Sequence, residues 1–415
     1  MDTQKNTKIF YWDQLTSEIF NVKIDCLVAY ITSSIGESKM KKLCELLTKN
    51  TNIQNLILTA QDQSIQISPA ALQFFYSALK DNTHIKSLQI SQFGPSKDFF
   101  NDLFQILKDN QKLERLAIIK NDFANDHLAT LLHENTRIKH LTLEATDQSM
   151  VDLDLANVAK SESIVSLKVR VNNTIGFDPF FTALRKKNKL KELILDGTPL
   201  KSDEIEALAN LLKTNSSITT LSLANCQILS SFIVLERAIM KNTAITNLDL
   251  SQNKINEEQI SNVILNNNSL RTLSIRAYRQ QDTIEDNLKL ANVLKTNTTL
   301  AALDIRDNPI EKLLQSLKVN NTLKQVAISV DKTTFKTAME VFGENQSLTG
   351  VTLDVGDMRL STELRKEVKS LLQKNPRIVS WYPCRDSKRI TKQLKRNNTQ
   401  QFNAVKNLGS EATAN

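Results

Sequence analysis

Glycine, proline and cysteine are scarce in this chain. It has 8 glycines, 7 prolines and 4 cysteines among 415 residues, and no segment concentrates the glycines or prolines. Flexible linkers between domains are rich in such residues, so we expect no linker that divides the chain. The cysteines form no CxxC pair and no disulfide framework, which fits a reducing compartment. They are Cys26, Cys44, Cys226 and Cys384.

Long apolar runs are missing as well. No run of about 18 apolar residues exists, so the sequence predicts no transmembrane helix. The first residues, MDTQKNTKIFYWDQL, carry polar and acidic side chains early and are not typical of a signal peptide. These observations favour a cytoplasmic protein.

Positive charge is unevenly distributed. The formal net charge is +8, and the segment 384–406 contributes +6 of it, with seven basic residues against the single acid Asp386. The remainder of the chain is nearly neutral. The sequence therefore has a basic C-terminal tail rather than a basic surface throughout.

An apolar pattern, LxxLxLxx(N/C)xL, recurs along most of the chain. It is clear in Ile218–Ile228, Ile245–Ile255 and Leu300–Ile310. Fourteen units can be aligned, with a mean spacing of about 27 residues. Asparagine lies three residues before the first apolar position in twelve of them, the exceptions being Ser161 and Lys187. The first apolar positions are Ile24, Ile53, Ile85, Leu113, Ile138, Ile164, Leu190, Ile218, Ile245, Leu270, Leu300, Leu323, Leu348 and Ile378.

The spacing within each unit predicts a short strand. The last two apolar residues of LxxLxL are two apart, so both point to one side of a strand, which we assign to the interior. The residue between them points to the opposite, concave face. The interior assignment covers Leu221, Leu223, Leu248, Leu250, Leu273, Ile275, Leu303 and Ile305. The polar residue after the strand can hydrogen-bond the turn, a role given to Asn121, Thr146, Thr198, Cys226, Asn253 and Asn308.

Between strands, the apolar period becomes helical. In SDEIEALANLLKTN, Ser202 is the expected N-cap, and acidic residues follow it in the first turn. In SPAALQFFYSALKDN, Ser68 is the expected N-cap, with Pro69 in the first turn. The sequence thus predicts an α/β fold, a curved leucine-rich-repeat solenoid. About a dozen parallel strands line its concave side and α-helices line its convex side.

The motif, the period and the helical second half resemble those of the ribonuclease-inhibitor-like leucine-rich repeat proteins, from about residue 20 to 384. Few cysteines and no alternation of two repeat types set the chain apart, so the resemblance implies no ribonuclease target. The segments KNTNI, DNTHI, ENTRI and KNTAI are similar to repeats of proteins from intracellular bacteria. That similarity implies an effector secreted into the host cell cytosol without an N-terminal signal peptide.

Three segments follow from the repeat: an N-terminal cap at 1–20, the solenoid of about 14 repeats at 21–383, and a basic helix with a disordered tail at 384–415. Two interpretations of the last segment stay open. It could cap the apolar end of the solenoid, with Ile390 and Leu394 facing that end. Alternatively, its basic residues could bind an anionic membrane or RNA weakly.

No catalytic, metal or cofactor motif is found. The four histidines, His84, His127, His133 and His140, lack the spacing of a metal site. We therefore expect a non-enzymatic scaffold that binds a partner protein on its concave surface and takes neither a cofactor nor a small-molecule substrate. The alternative is a GTPase-activating protein of leucine-rich-repeat type, although such proteins usually have an acidic tail and no arginine finger can be selected here.

Matching positions of adjacent repeats lie side by side, which suggests where a partner binds. The expected partner-binding residues are Lys168, Arg170, Asp196, Asp249, Arg276, Tyr278, Asp304 and Arg306. Arginine and tyrosine are frequent at binding hot spots. A second interpretation is a solvated network of ion pairs with no partner. If this patch is not the site, Val28 and Tyr30 offer apolar and aromatic surface on the same face.

Overall fold

The computed structural model describes residues 7–11, 24–61, 65, 67–92, 97–121, 125–144, 155–171, 176–185, 189–229, 231–277, 287–355 and 362–382. The chain forms two compact units, Met1–Ile218 and Thr219–Asn415. Each unit alternates strands with helices, as the change of apolar period from two to about 3.6 residues predicts. Within the described residues, no helix has both the length and the apolar character needed to cross a membrane.

The first unit contains eight described strands and seven described helices. The strands are β1 (Thr7–Tyr11), β2 (Cys26–Ile31), β3 (Asn55–Ala60), β4 (Ser87–Ser91), β5 (Arg115–Ile119), β6 (His140–Glu144), β7 (Ser166–Arg170) and β8 (Glu192–Ile194). The helices are α1 (Glu37–Lys49), α2 (Pro69–Lys80), α3 (Lys97–Leu107), α4 (Asn125–Glu134), α5 (Leu155–Ala159), α6 (Asp178–Leu184) and α7 (Ser202–Leu212). All consecutive strands of this unit pair in parallel.

In the second unit, the structure describes seven strands and six helices. The strands are β9 (Thr220–Ser222), β10 (Asn247–Asp249), β11 (Thr272–Ser274), β12 (Ala302–Asp304), β13 (Gln325–Ser329), β14 (Gly350–Asp354) and β15 (Ser380–Tyr382). The helices are α8 (Phe232–Lys241), α9 (Glu257–Asn266), α10 (Leu288–Thr296), α11 (Glu311–Val319), α12 (Lys332–Glu344) and α13 (Thr362–Lys374). Its consecutive strands also pair in parallel.

The strand phase assigned from the sequence is confirmed. Leu221, Leu248, Leu273 and Leu303 are aligned across neighbouring strands. The eight residues assigned to the interior are at most 3% exposed. Helix residues such as Phe232 and Ile260 are fully buried as well. The α/β leucine-rich-repeat solenoid predicted from the sequence is therefore the observed fold class.

Strand β1 was not predicted. It lies in the segment 1–20 that the sequence suggested as a cap, and it pairs in parallel with β2 from Thr7↔Cys26 to Tyr11↔Tyr30. The fourteen units recognised from the sequence correspond to β2–β15. The segment TKIFY lacks the leucine motif, and pairing with β2 makes it a strand, because tertiary context dominates strand formation.

The two helix starts chosen from the sequence have different outcomes. The Ser68 side chain accepts a hydrogen bond from the Ala71 N–H at 3.2 Å, with Pro69 at the first helical position, so this N-cap is confirmed. The N-cap assignment of Ser202 is wrong by one residue, because Lys201 is the N-cap of α7. The Glu204 carboxylate accepts the Lys201 N–H at 2.7 Å and satisfies that end without a serine hydroxyl.

Polar residues that follow the strands form hydrogen-bonded ladders, as predicted. The buried Asn253 amide donates to the Leu223 carbonyl at 2.7 Å in the preceding repeat and accepts the Cys226 N–H at 3.0 Å. Asn121, Thr198 and Asn308 also donate to a carbonyl of the preceding repeat. The Cys226 thiol is buried. The predicted ladder residue Thr146 lies outside the described residues.

A second asparagine ladder runs along the helix ends. Asn345 accepts hydrogen bonds from the N–H groups of Ser347 and Leu348, and donates to the carbonyls of Leu317 and Asn320 in the preceding repeat. The same arrangement recurs at Asn135, Asn267, Asn320 and Asn375. These five are among the twelve asparagines found three residues before an apolar motif. Their function is to terminate each helix and to join it to the repeat before.

Candidate functional site

On their outer side, the side opposite the buried leucines, the second unit's strands carry side chains that form rows. Asp249, Ser274 and Asp304 are aligned by the strand register. Two residues beyond the ends of β11 and β12, Arg276 lies beside Arg306, and the Ala277 N–H donates to the Arg306 carbonyl. We call Asp249, Arg276, Asp304 and Arg306 the arginine patch. The structure thus brings together four of the predicted partner-binding residues.

Arg306 is held by a carboxylate of its own strand. Its Nε donates to Asp304 Oδ1 at 2.9 Å, and its Nη2 donates to Asp304 Oδ2 at 2.5 Å. The hydrogen bond to Asp304 raises the pKa of Arg306, against the opposing effect of partial burial. A two-point contact of this type fixes the plane of the guanidinium. Its remaining donors are presented in a defined orientation.

Arg276 contacts a residue that the sequence reasoning missed. Its Nε donates to Asp307 Oδ2 at 2.5 Å, one repeat away. Asp307 has φ of +60°, and its N–H donates to the Ser329 hydroxyl at 2.9 Å. The left-handed turn therefore aims the Asp307 carboxylate back toward the strand rows. No sequence signal in the strand motif marks this turn position as part of the site.

Asp249 contributes to the arginine patch through the backbone. Its Oδ1 accepts the Ser251 N–H at 2.8 Å. The Ser251 hydroxyl lies 2.7 Å from the Ser274 hydroxyl and accepts the Arg276 N–H at 3.1 Å. This network links Asp249 to the backbone of Arg276 rather than to its guanidinium. Tyr278, the fifth residue predicted for this surface, lies outside the described residues.

In the first unit, the predicted residues Lys168, Arg170 and Asp196 lie on and just after β7 and β8. Lys168 Nζ is 2.6 Å from the Glu144 carboxylate of β6, a partner that the sequence reasoning missed. Glu144 and Arg170 occupy neighbouring register positions. The Arg170 guanidinium lies over Gly197, the residue that follows Asp196. The first unit therefore carries a separate charged group of side chains.

An uncharged face lies on the outer side of β1–β5 in the first unit, beside a third row, Thr7, Cys26, Asn55, Ser87 and Arg115, that ends in one charged residue. Its two rows consist of Ile9, Val28, Ile57, Gln89 and Ala117, and of Tyr11, Tyr30, Thr59, Ser91 and Ile119. Sequence reasoning had drawn attention to Val28 and Tyr30. Strand β1 adds Ile9 and Tyr11, which no repeat motif could reveal.

The histidines form no metal site in the part of the chain that the structure describes, where no three potential ligand side chains converge. His127 and His133 lie on α4, and His140 begins β6. Partial burial lowers the pKa of His140, and nearby Arg115 lowers it further. This stabilises the neutral imidazole on the sheet surface. The Cys44 thiol, on α1, has its pKa raised by burial to about 12, which makes it a poor nucleophile.

No family model matches the chain. It is 25% identical over 248 residues to the Rho GTPase-activating protein gacW of Dictyostelium discoideum, covering 56% of this chain and 19% of that protein. It is 22% identical over 279 residues to protein CARMIL of the same organism, covering 62% of this chain and 26% of that protein. It is also 25% identical over 300 residues to mouse NACHT, LRR and PYD domains-containing protein 14, covering 66% of this chain and 29% of that protein.

The chain therefore spans less than a third of the length of these curated relatives. Among solved structures, it is similar to a chain of the yeast Rad7 and Elc1 complex. That likeness has a TM-score of 0.45 and 16% identity, and it covers 83% of this chain and 79% of that chain.

Proposed function

We propose that the chain is a non-enzymatic scaffold that binds a partner protein on the outer side of its strands. The observation that carries the proposal is the arginine patch. Arg276 and Arg306 lie side by side, and each guanidinium is oriented by a carboxylate. Side chains ordered before binding lose less conformational entropy in the complex, and arginine is enriched at binding hot spots.

The relatives support an interaction role. One of them carries LRR in its name, and repeat solenoids offer extended surfaces to protein partners. A secreted effector role, a position in the host cytosol and contact of the basic tail with membrane or RNA stay predictions from the sequence. The tail, 384–415, lies outside the described residues.

The similarity to gacW makes GTPase activation the second candidate. An activator that supplies an arginine finger must place its guanidinium against the transferring phosphate. In this structure, Arg276 and Arg306 are already engaged by Asp307 and Asp304. This geometry favours recognition over catalysis at the arginine patch.

Affinity purification from lysate, with identification of retained proteins by mass spectrometry, tests the scaffold. The retained protein is then purified separately and titrated against the full chain. We expect saturable binding that Arg276→Ala and Arg306→Ala weaken. A matched control is Lys289→Ala, which removes an exposed ion pair with Glu258 on the helical side. Stimulated hydrolysis by any member of a panel of small GTPases would instead support the activator.

A further inference from the structure

Among the described residues of the first unit, the most exposed large apolar side chains lie on the uncharged face. Ile9 is 59% exposed, Tyr11 54% and Tyr30 39%. The rings of Tyr11 and Tyr30 have their centroids 5.9 Å apart and are inclined at 30°. Val28 and Ile57, the register neighbours of Ile9, are half-buried. Clustered apolar side chains on a surface are typical of interaction sites.

Charge is absent from all ten positions of the uncharged face. On the same side of these strands it occurs at Arg115, in the third row on β5, and it returns on the next strands. Ala117 of β5 is followed in register by Thr142 and Lys168, and Ile119 is followed by Glu144 and Arg170. A charged segment placed over the two uncharged rows would lose its hydration there, and Arg115 lies on β5, four strands away from Ile9 and Tyr11. Charge complementarity therefore requires an occupant whose contacting side is apolar and uncharged.

The dimensions of this face indicate the shape of its occupant. Five strands spaced at about 4.8 Å extend over about 19 Å, and two rows on one strand are about 7 Å apart. An α-helix rises about 1.5 Å per residue and is about 10 Å wide, so about 13 residues of helix span the face.

We propose that the uncharged face binds an amphipathic α-helix of the partner protein, laid across β1–β5 with its apolar stripe on Ile9, Tyr11 and Tyr30. This inference rests on the proposed scaffold function and names the chemistry of its partner. It assigns a second contact surface, separate from the arginine patch.

Two other occupants fit this face less well. An extended segment would set its backbone N–H and C=O groups over Ile9, Val28 and Ile57, which cannot hydrogen-bond them, whereas a helix satisfies its own backbone. A second copy of the chain would need about 800 Å² of contact on each partner. A face about 19 Å long and two rows wide provides much less than that.

Two displayed peptide libraries test the inference against the full chain. Both encode helices of about 13 residues. One varies leucine, isoleucine, methionine and phenylalanine at the stripe positions i, i+3, i+4 and i+7, and the other places lysine and glutamate there. We expect enrichment from the apolar library. Ile9→Lys should weaken the binding of the selected peptides at least tenfold, as measured by fluorescence anisotropy. Val319→Lys is the matched control, because Val319 is also 59% exposed but lies on α11 of the second unit.

The inference is overturned if the apolar library gives no enrichment, or if selected peptides bind Ile9→Lys as tightly as the parent chain. It is also overturned if sedimentation velocity shows a dimer that Ile9→Lys dissociates, because the occupant is then a second copy. The proposed function is tested separately, by measuring how the purified partner protein binds the chain. Partner binding that depends on Arg276 and Arg306 but not on Ile9 would support the scaffold function and contradict the helix-binding site.

Discussion

The side chain of Arg170 lies directly over Gly197. A Cβ added at Gly197 would come 2.9 Å from Arg170 Nε and 3.3 Å from Cζ. Gly197 also has φ of +74°, a left-handed conformation that disfavours any side chain. Glycine at this turn therefore meets two requirements: it permits the backbone conformation and leaves room for the guanidinium.

Gly197→Ala should lower the free energy of unfolding, because alanine costs about 1–2 kcal/mol in the left-handed region and displaces Arg170. In an Arg170→Ala background the displacement disappears and the backbone cost remains. Urea titrations of the two single variants and the double variant separate these effects. An unchanged unfolding midpoint in Gly197→Ala would show that the turn is wrongly described.

Asn253→Ala should destabilise the second unit by about 3 kcal/mol, because buried backbone groups lose their hydrogen-bond partner. The Asn253 side chain donates to Leu223, Leu250 and Ser251, and accepts from Cys226 and Ile228. The control is Asn266→Ala, since Asn266 makes an exposed contact with Asn262 on its own helix. Similar melting temperatures for the two variants would contradict the ladder's role.

Asp331→Ala should cost about 1 kcal/mol, because Asp331 caps α12 and accepts hydrogen bonds from Thr333 and Thr334. Asp331→Asn retains an acceptor oxygen and should cost less.

The hydrogen bonds that Asp331 accepts, first among them that of the Thr333 side chain, hold the pKa of Asp331 below its usual value. The carboxylate's contribution is therefore present above about pH 3.9 and is lost as the pH falls through the folded-state value. Thermal melts of the three proteins across acidic pH test both effects, and equal acid sensitivity of Asp331→Asn and the parent would contradict the second.

His140 should make the protein less stable in mild acid. Its pKa is lowered by burial, then by Arg115 and Lys139, against opposing effects of Glu192 and Glu114. The unfolded chain takes up a proton near pH 6.5, above the folded-state pKa, so the stability present above pH 6.5 declines as the pH falls through the folded value. His140→Gln should flatten melting temperature against pH in that range. His133→Gln, on α4, is the control, and a parent-like slope in His140→Gln would refute the assignment.

The combined variant Arg276→Ala, Arg306→Ala and Tyr278→Ala should weaken binding of the purified partner at least about tenfold, or about 1.4 kcal/mol. Its melting temperature should barely change, because the two ion pairs are partly exposed and such pairs contribute little to stability. Isothermal titration calorimetry and thermal melts measure both quantities. Equal affinity would support the alternative of a solvated ion-pair network.

The sequence predicted most of the fold because the apolar repeat shows which residues of each strand face the interior. Leucines two residues apart at Leu221 and Leu223, or at Leu248 and Leu250, leave one way to bury both on a strand. The asparagines before twelve of the fourteen motifs were visible as a pattern, but their hydrogen bonds to the preceding repeat were not. The charged rows could be listed for the same reason, since residues of equal phase become neighbours in a parallel sheet.

The repeat period by itself determined which residues enter the core, where strands alternate with helices, and that Arg276 and Arg306 are neighbours. Only the tertiary structure decided which carboxylate each arginine contacts, because Asp307 reaches Arg276 through a left-handed turn that no apolar spacing encodes. It also decided that TKIFY is a strand, since that segment becomes one by pairing with Cys26–Ile31. Apolar periodicity acts through burial and follows from local spacing, whereas ion pairs and edge strands depend on atoms contributed by a neighbouring strand or repeat.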